Sequence, residues 1–288
     1  MHLPSLYDLK YLYRRFFGRS PLANRIGRRF YHLYIQTRVS RYRNGVFRDK
    51  YGLSYNFDEN SLLERQMAAA GYWEEDTRQL IESEISPGNV VIEVGANFGA
   101  HTLPIALKLG KEGRIYAFEP SDYGYDRLSQ NIALNPPLKN IESRKLYVSR
   151  TVSAQMPVEL TSYWTPTGEG NNTAIQTVRT GSLDGLFKDL SRLDLIKIDV
   201  DGADRDVLLS GKGLIARFHP KIYIEVSFSL AKFGTSPQRL CMDLQEYGYR
   251  LHTFSAVARG FQPVTVTEIE DLLHHQPVTN VLALYRPG

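Results

Sequence analysis

The stretch Val90 to Gly99, VVIEVGANFG, constrains the fold of this chain more than any other. Valine and isoleucine fill Val90, Val91, Ile92 and Val94, with only Glu93 interrupting, which reads as a strand buried on both faces. Gly95 and Gly99 then bracket three residues. Such a turn lets the chain swing sharply from strand into helix and lets a ligand lie close against bare backbone. A strand of this kind needs strands on both sides and helices above and below, so the rest of the chain should alternate between the two.

It does. His101 to Leu109 has helical apolar spacing, Arg114 to Phe118 is a second strand, Asp126 to Asn135 a second helix stopped by Pro136-Pro137, and Ile141 to Val148 a third strand. Between Val152 and Thr180 the alternation lapses into two short strands, MPVELTSYW and AIQTVRT, around the polar loop Thr165 to Thr173, where acceptor selection is expected. It resumes with helix Ser182 to Leu190, strand Leu193 to Val200, helix Asp204 to Leu209 and strand Lys221 to Ser227. Helix Pro237 to Tyr247, strand Tyr249 to Phe254, a linker and strand Val281 to Tyr285 close the chain, the last two strands reading as an antiparallel hairpin at the sheet's edge. The expected class is α/β, a mostly parallel sheet with helices on both faces and its strand ends all on one side.

The segment before this layout differs in character. Residues 1–50 carry two lysines and ten arginines against Asp8 and Asp49, a surplus of ten; the remainder stands at minus six within a total of plus four. Arginine alternates there with rings, as in Tyr13-Arg14-Arg15-Phe16-Phe17 and Arg28-Arg29-Phe30-Tyr31, and the pattern suits amphipathic helices broken near Gly18 to Pro21. Two uses fit: packing the rings on protein, or peripheral contact with an anionic membrane surface. No nucleic-acid-binding module is recognisable. We therefore expect an arm over 1–60 and a domain over 61–288, led in by helices over 61–85 that cover the mouth of the site. No apolar run reaches membrane-spanning length, and Cys241 as the only cysteine suits a reducing compartment, so a cytoplasmic protein is expected, with an oligomer possible.

The chemistry follows from the turn. Its G-x-x-x-G pattern lacks the second glycine of dinucleotide-binding turns. Glu119 closes the second strand 24 residues after Gly95, near the spacing of about 20 at which a carboxylate takes ribose hydroxyls. Glu93, inside the turn, suits a positively charged amine. A ribose and an amine on one ligand fit S-adenosylmethionine better than a dinucleotide.

Several ordered motifs carry a resemblance: VVIEVGANFGAHTLPIA, IYAFEP, Asn131-Ile-Ala-Leu-Asn135, LDLIKIDVDGADRDVLLSG and PKIYIEV. Together, over about Ala70 to Ser227, they resemble the FkbM family of S-adenosylmethionine-dependent methyltransferases. The resemblance implies a class I methyltransferase (Rossmann-like) three-layer sandwich with a seven-stranded sheet and one antiparallel strand, matching the hairpin above. It implies O-methylation of a sugar, glycan, glycolipid or secondary-metabolite hydroxyl. It places Glu93, Gly95, Asn97 and Gly99, with Ala96 and Thr102 beside them, at the donor's methionine end, Glu119 and Pro120 at its ribose, and Asp199 and Asp201 at the transferable methyl. Asn131 and Asn135 become structural caps. Where the family pattern reads V-E-G-x-E, this chain has Val200-Asp201-Gly202-Ala203-Asp204, with both acids one methylene shorter.

An acceptor hydroxyl must lose its proton as it attacks, and Asp199, Asp201, Glu225 and His101 are the bases expected near strand ends, Asp199 by position first. No metal ligand set is assigned, although a carboxylate cluster is also a divalent-cation motif. Lys197, alone in an apolar strand, is expected to pair with an acid, and Phe98 and Tyr123 to pack. A non-catalytic adenosyl-binding scaffold and a nucleotide-dependent oxidoreductase are the alternative readings.

Overall fold

The computed structural model describes Thr37, Val39, Tyr42 and residues 45–161, 173–255 and 260–286. The arm helices and the loop Thr165 to Thr173 lie outside these residues, apart from Thr173 itself. The described residues group into two compact units: those up to Glu75 with Thr161 and Thr173, and those from Asp76 to Leu160 with Ala174 onward.

In the first unit, β1 (Val46–Arg48) and β2 (Ser54–Asn56) pair antiparallel with Phe47 opposite Tyr55. Their rings stack at 5.4 Å and both are buried, with Phe57 and Tyr42 closing the cluster. Helix α1 (Leu62–Ala70) starts where the Ser61 hydroxyl accepts the Glu64 N–H, and stops at left-handed Gly71.

Beyond α1 the chain runs α2 (Glu75–Glu84), β3 (Val90–Val94), α3 (Thr102–Leu109), β4 (Arg114–Phe118), α4 (Asp122–Ala133), β5 (Ile141–Arg144), β6 (Tyr147–Val148), β7 (Met156–Thr161), β8 (Thr173–Val178), β9 (Thr180–Gly181) and α5 (Leu183–Leu186). It continues through β10 (Leu195–Ile198), α6 (Asp204–Ser210), α7 (Lys212–Phe218), β11 (Lys221–Ser227), a 3-10 turn over Phe228–Phe233, α8 (Pro237–Glu246), β12 (Tyr249–Ser255), β13 (Gly260–Pro263), α9 (Val266–His275) and β14 (Val278–Tyr285).

The main sheet has the order β13-β12-β14-β11-β10-β3-β4-β5. From β5 to β11 all neighbours are parallel, and β14 runs antiparallel to both β11 and β12. Seven strands with one reversed are thus present, as the resemblance implied, with β13 added as an eighth at the edge. Side chains alternate across the sheet. Ile92, Ile196, Ile198 and Ile224 fill one face, while Val91, Leu195 and Tyr223 meet Ile105 and Leu109 on the other. The two layers of helices this requires make the α/β sandwich.

Several boundaries differ from expectation. Helix α4 begins four residues early because Ser121 caps it, accepting the Gly124 N–H. The strand expected from Ile141 to Val148 breaks after Arg144, and Tyr147 leaves the main sheet to pair with Thr180. The helix expected over Ser182 to Leu190 is one turn long; Asp184 there accepts the N–H groups of Gly213 and Leu214, tying the turn to α7. The closing pair is antiparallel, yet β14 inserts between β11 and β12 and does not form the edge. The supposed linker holds β13 and α9, whose start is a complete capping box of Thr265 and Glu268. Among the described residues, no helix is long and apolar enough to cross a membrane.

Candidate active site

The strand order reverses between β3 and β10. From β3 the chain winds outward through β4 and β5; from β10 it winds the other way through β11. Loops leaving two such strands diverge and open a crevice at their carboxyl ends, the usual ligand position in open α/β sheets. The Gly95 turn and the loop from Asp199 to Gly202 are those two loops.

They approach very closely. Gly95 has φ +90°, and a Cβ there would stand 1.8 Å from the Asp199 carbonyl oxygen. The Asp199 N–H donates to the Val94 carbonyl at 3.1 Å, and the Gly95 and Ala96 N–H groups donate to the Phe118 carbonyl at 3.0 Å. Asn97 also takes a left-handed conformation, φ +48°, and its N–H donates to Glu119 Oε2 at 2.9 Å. Glu119 Oε1 accepts from the Ser121 N–H at 2.9 Å and from its hydroxyl. About four lone-pair sites are available on a carboxylate, so Glu119 retains capacity for one further hydrogen bond, fewer than the parallel pair expected for a diol. Burial raises its pKa above the usual carboxylate value, a push that these hydrogen bonds oppose. Pro120 follows, half-buried, at the start of α4.

Register explains the other half. Lys197 lies directly opposite Glu93, and period-two alternation puts Asp199 on the same face. Lys197 is 1% exposed; its Nζ stands 3.4 Å from Glu93 Oε1 and 3.3 Å from Asp199 Oδ2. Glu93 Oε2 accepts the Thr102 hydroxyl at 2.6 Å, which ties the strand to the first turn of α3. The expectation that Lys197 pairs with an acid is met twice over. Glu93 Oε1 is buried and accepts no hydrogen bond, its ion pair with Lys197 being longer than one.

The loop after β10 is held by Asp204, whose oxygens accept the N–H groups of Val200 at 3.0 Å and Gly202 at 2.9 Å. Burial raises the Asp204 pKa to about 7, with the Asp199 charge adding to the rise against those backbone bonds. Asp201 is exposed and left-handed, φ +53°. Desolvation by the protein around its carboxyl pushes its pKa up, as does Asp199, while Lys232 opposes.

The structure therefore brings together Glu93, Gly95, Ala96, Asn97, Thr102 and Glu119 on one wall and Asp199 with Asp201 on the other. Gly99 lies behind the turn, against Leu128. His101 is buried at the start of α3, and Phe98 is buried in the core. Of the two asparagines expected as caps, Asn135 bonds the end of α4, its amide donating to the Asn131 carbonyl at 2.7 Å, whereas Asn131 lies within the helix and its amide donates to the Phe98 carbonyl at 2.8 Å, tying α4 to the glycine turn. Sequence reasoning missed Asp204 as the loop's anchor; the signal was an acid two residues after a glycine, before a helix. Among the described residues no group of three or more His, Cys, Asp or Glu could hold a metal ion.

This donor set fits S-adenosylmethionine: a bare-backbone turn, a buried acceptor without a hydrogen bond at Glu93, spare capacity on Glu119, and a partly exposed carboxylate across the crevice. A family match agrees with this reading. The Methyltransferase FkbM domain matches residues 93–251. Methyltransferase sdnD of Sordaria araneosa is 26% identical over 152 residues, covering 41% of this chain; the chain spans 58% of the length of that relative. Among solved structures, a SAM-dependent O-methyltransferase from Thermotoga maritima aligns at 12% identity over 85% of this chain and 78% of that one, with a TM-score of 0.44. A SAM dependent methyltransferase from Aquifex aeolicus aligns at 12% identity over 74% of this chain and 90% of that one, with a TM-score of 0.41. The domain match spans more than half of the sequence, and the chain belongs to the FkbM family of S-adenosylmethionine-dependent methyltransferases.

Proposed function

We propose that the chain O-methylates a hydroxyl of a sugar, glycan or related glycolipid or secondary-metabolite acceptor, with Asp199 receiving the acceptor's proton. The observation that carries this reading is Asp199 itself. Its side chain is 37% exposed at the carboxyl end of β10, across from the Gly95 turn, and Lys197 Nζ fixes its direction from the buried side at 3.3 Å. When bound, S-adenosylmethionine supplies an electrophilic methyl group on a sulfonium centre. The Gly95 to Gly99 turn would hold its amino-acid end, with the buried Glu93–Lys197 pair behind it, and Glu119 would accept one ribose hydroxyl. Asp199 would take the proton as the new oxygen–carbon bond forms and the methyl–sulfur bond breaks, the sulfur keeping the electron pair and leaving as a neutral thioether; the resulting carboxylic acid would then lose its proton to solvent.

Calorimetric titration with S-adenosylmethionine and with a nicotinamide dinucleotide tests the donor; binding of the dinucleotide alone would refute it. Asp199→Asn tests the base. Turnover should fall at least about tenfold with donor affinity within about threefold, and unchanged turnover removes Asp199 from that role.

A further inference from the structure

The two walls of the crevice carry charge of one sign. Glu119 stands on the donor wall, its Oε2 joined to the Gly95 turn through the Asn97 N–H at 2.9 Å. Asp199 stands on the other, its backbone carbonyl so near the same turn that a Cβ on Gly95 would be 1.8 Å away. Asp201 lies two residues further along that loop and is exposed. The three carboxylates feel one another: the Asp201 charge adds to the rise in the Glu119 pKa, and the Asp199 charge to that of Asp201. Like charges held this way repel, and a cation entering the space they share relieves the repulsion.

Two lysines supply the opposing charge, from different places. Lys197 is buried behind Asp199 and shared with Glu93, whose Oε1 stands 3.4 Å from its Nζ. Lys232 is exposed at the rim, on the 3-10 turn Phe228–Phe233 that Leu230 anchors in the core. That turn abuts the loop of Asp201, since a Cβ on Gly202 would meet the Ser229 carbonyl oxygen at 2.7 Å. Across this contact the Lys232 charge opposes the rise in the Asp201 pKa. Asp204, pushed up to about 7, carries only part of a charge at neutral pH.

S-adenosylmethionine and the product it leaves, S-adenosylhomocysteine, share their adenosine and amino-acid parts. Hydrogen bonds from the Gly95 turn and Glu119 are open to both and cannot tell them apart. They differ by one methyl group and one positive charge, and the sulfur that carries the charge links the amino-acid arm to the ribose. A donor held at the Gly95 turn and at Glu119 therefore brings its charge into the space that Asp201 shares with Glu119.

We infer that Asp201 and Lys232 set the preference of the crevice for the charged donor over its neutral product, Asp201 favouring the sulfonium and Lys232 holding that preference down from the rim. The inference rests on the donor, and on neither the acceptor nor the role of Asp199 as base.

Calorimetric titration of the full chain with S-adenosylmethionine and with S-adenosylhomocysteine tests it without an acceptor. Asparagine accepts the left-handed backbone at position 201, φ +53°, so Asp201→Asn removes the charge and keeps the loop. It should weaken S-adenosylmethionine about threefold or more and move S-adenosylhomocysteine by less than about 1.5-fold. Lys232→Met removes an exposed cation and should act in the opposite sense, tightening S-adenosylmethionine about twofold with S-adenosylhomocysteine again unmoved. Sinefungin, which carries an ammonium where the product has its sulfur, should follow S-adenosylmethionine in both variants. Raising salt from about 50 to about 500 mM should narrow the difference between donor and product in the wild type. The inference is overturned if either variant shifts donor and product alike, or if the ratio of their affinities stays fixed or moves the other way. A wild type that binds neither ligand would overturn it together with the donor assignment, so the two failures are distinct.

Discussion

Gly95→Ala probes the narrowest point of the crevice. Two effects combine. An L-residue at φ +90° pays about 1–2 kcal/mol of backbone strain, and the new Cβ would stand 1.8 Å from the Asp199 carbonyl oxygen, where contacts below 3.0 Å essentially never occur. The loop after β10 must therefore retreat by more than an ångström, weakening the Asp199 N–H bond to Val94. Overpacking of this kind costs about 1–3 kcal/mol. The sum is roughly 2–5 kcal/mol, which at about 2–4 °C per kcal/mol lowers the melting temperature by on the order of 5–15 °C. Gly99→Ala is the control. It shares φ +90°, but its Cβ would meet Leu128 Cδ1 at 2.8 Å, the end of a flexible side chain that can turn aside. Scanning calorimetry should rank Gly95→Ala well below Gly99→Ala, and titration with S-adenosylhomocysteine should show at least a tenfold loss for Gly95→Ala alone. Equal melting temperatures, with donor affinity intact in both, would refute the pinch between the two loops.

Two further outcomes follow from the charged groups. Lys197→Met leaves Glu93 buried beside a lost ammonium and should cost about 3–5 kcal/mol by denaturant titration; adding Glu93→Gln should recover at least about 1 kcal/mol of it, and strict additivity would dissolve the pair. Asp204 holds its proton to about pH 7 in the fold against an ordinary value of 3.8, so folding takes up a proton between those values. Its contribution is present below about pH 4 and lost as pH rises through about 7. Asp204→Asn should therefore melt progressively closer to, or above, wild type between pH 5 and pH 8, and a difference constant with pH would contradict the buried carboxyl.

The parts of the fold that were legible share one property: their signal is local. Strands β4 and β11 fall where the sequence reading put them because each is apolar on both faces and bounded by turn residues. Glycine and serine likewise announced α1 and the turn at Gly95. For the site, spacing along the chain pointed to Glu119, and the family resemblance to Asp199. What escaped depends on pairing across distance. Nothing in KIDVDG says that Lys197 will stand opposite Glu93, because that register is set by two strands over a hundred positions apart. Nor could Asp184 be seen to end its helix, since its partners lie in α7. The missed helix α9 is a different failure: its Thr265-x-x-Glu268 capping signal stood in the sequence and was read as linker.

The insertion of β14 has a consequence for how the chain is made. Strand β11 leaves the ribosome with Ile222, Ile224 and Val226 in place, but its partner on that side is synthesised only after α8, β12, β13 and α9. At about 5–20 residues per second, on the order of 3–10 seconds pass in which β11 and β12 each present an unfilled edge. Such edges are templates for pairing with other chains. Translation that pauses before Val278 should thus yield a nascent chain recognised by chaperones, and β14 acts as the latch that joins β11 to β12.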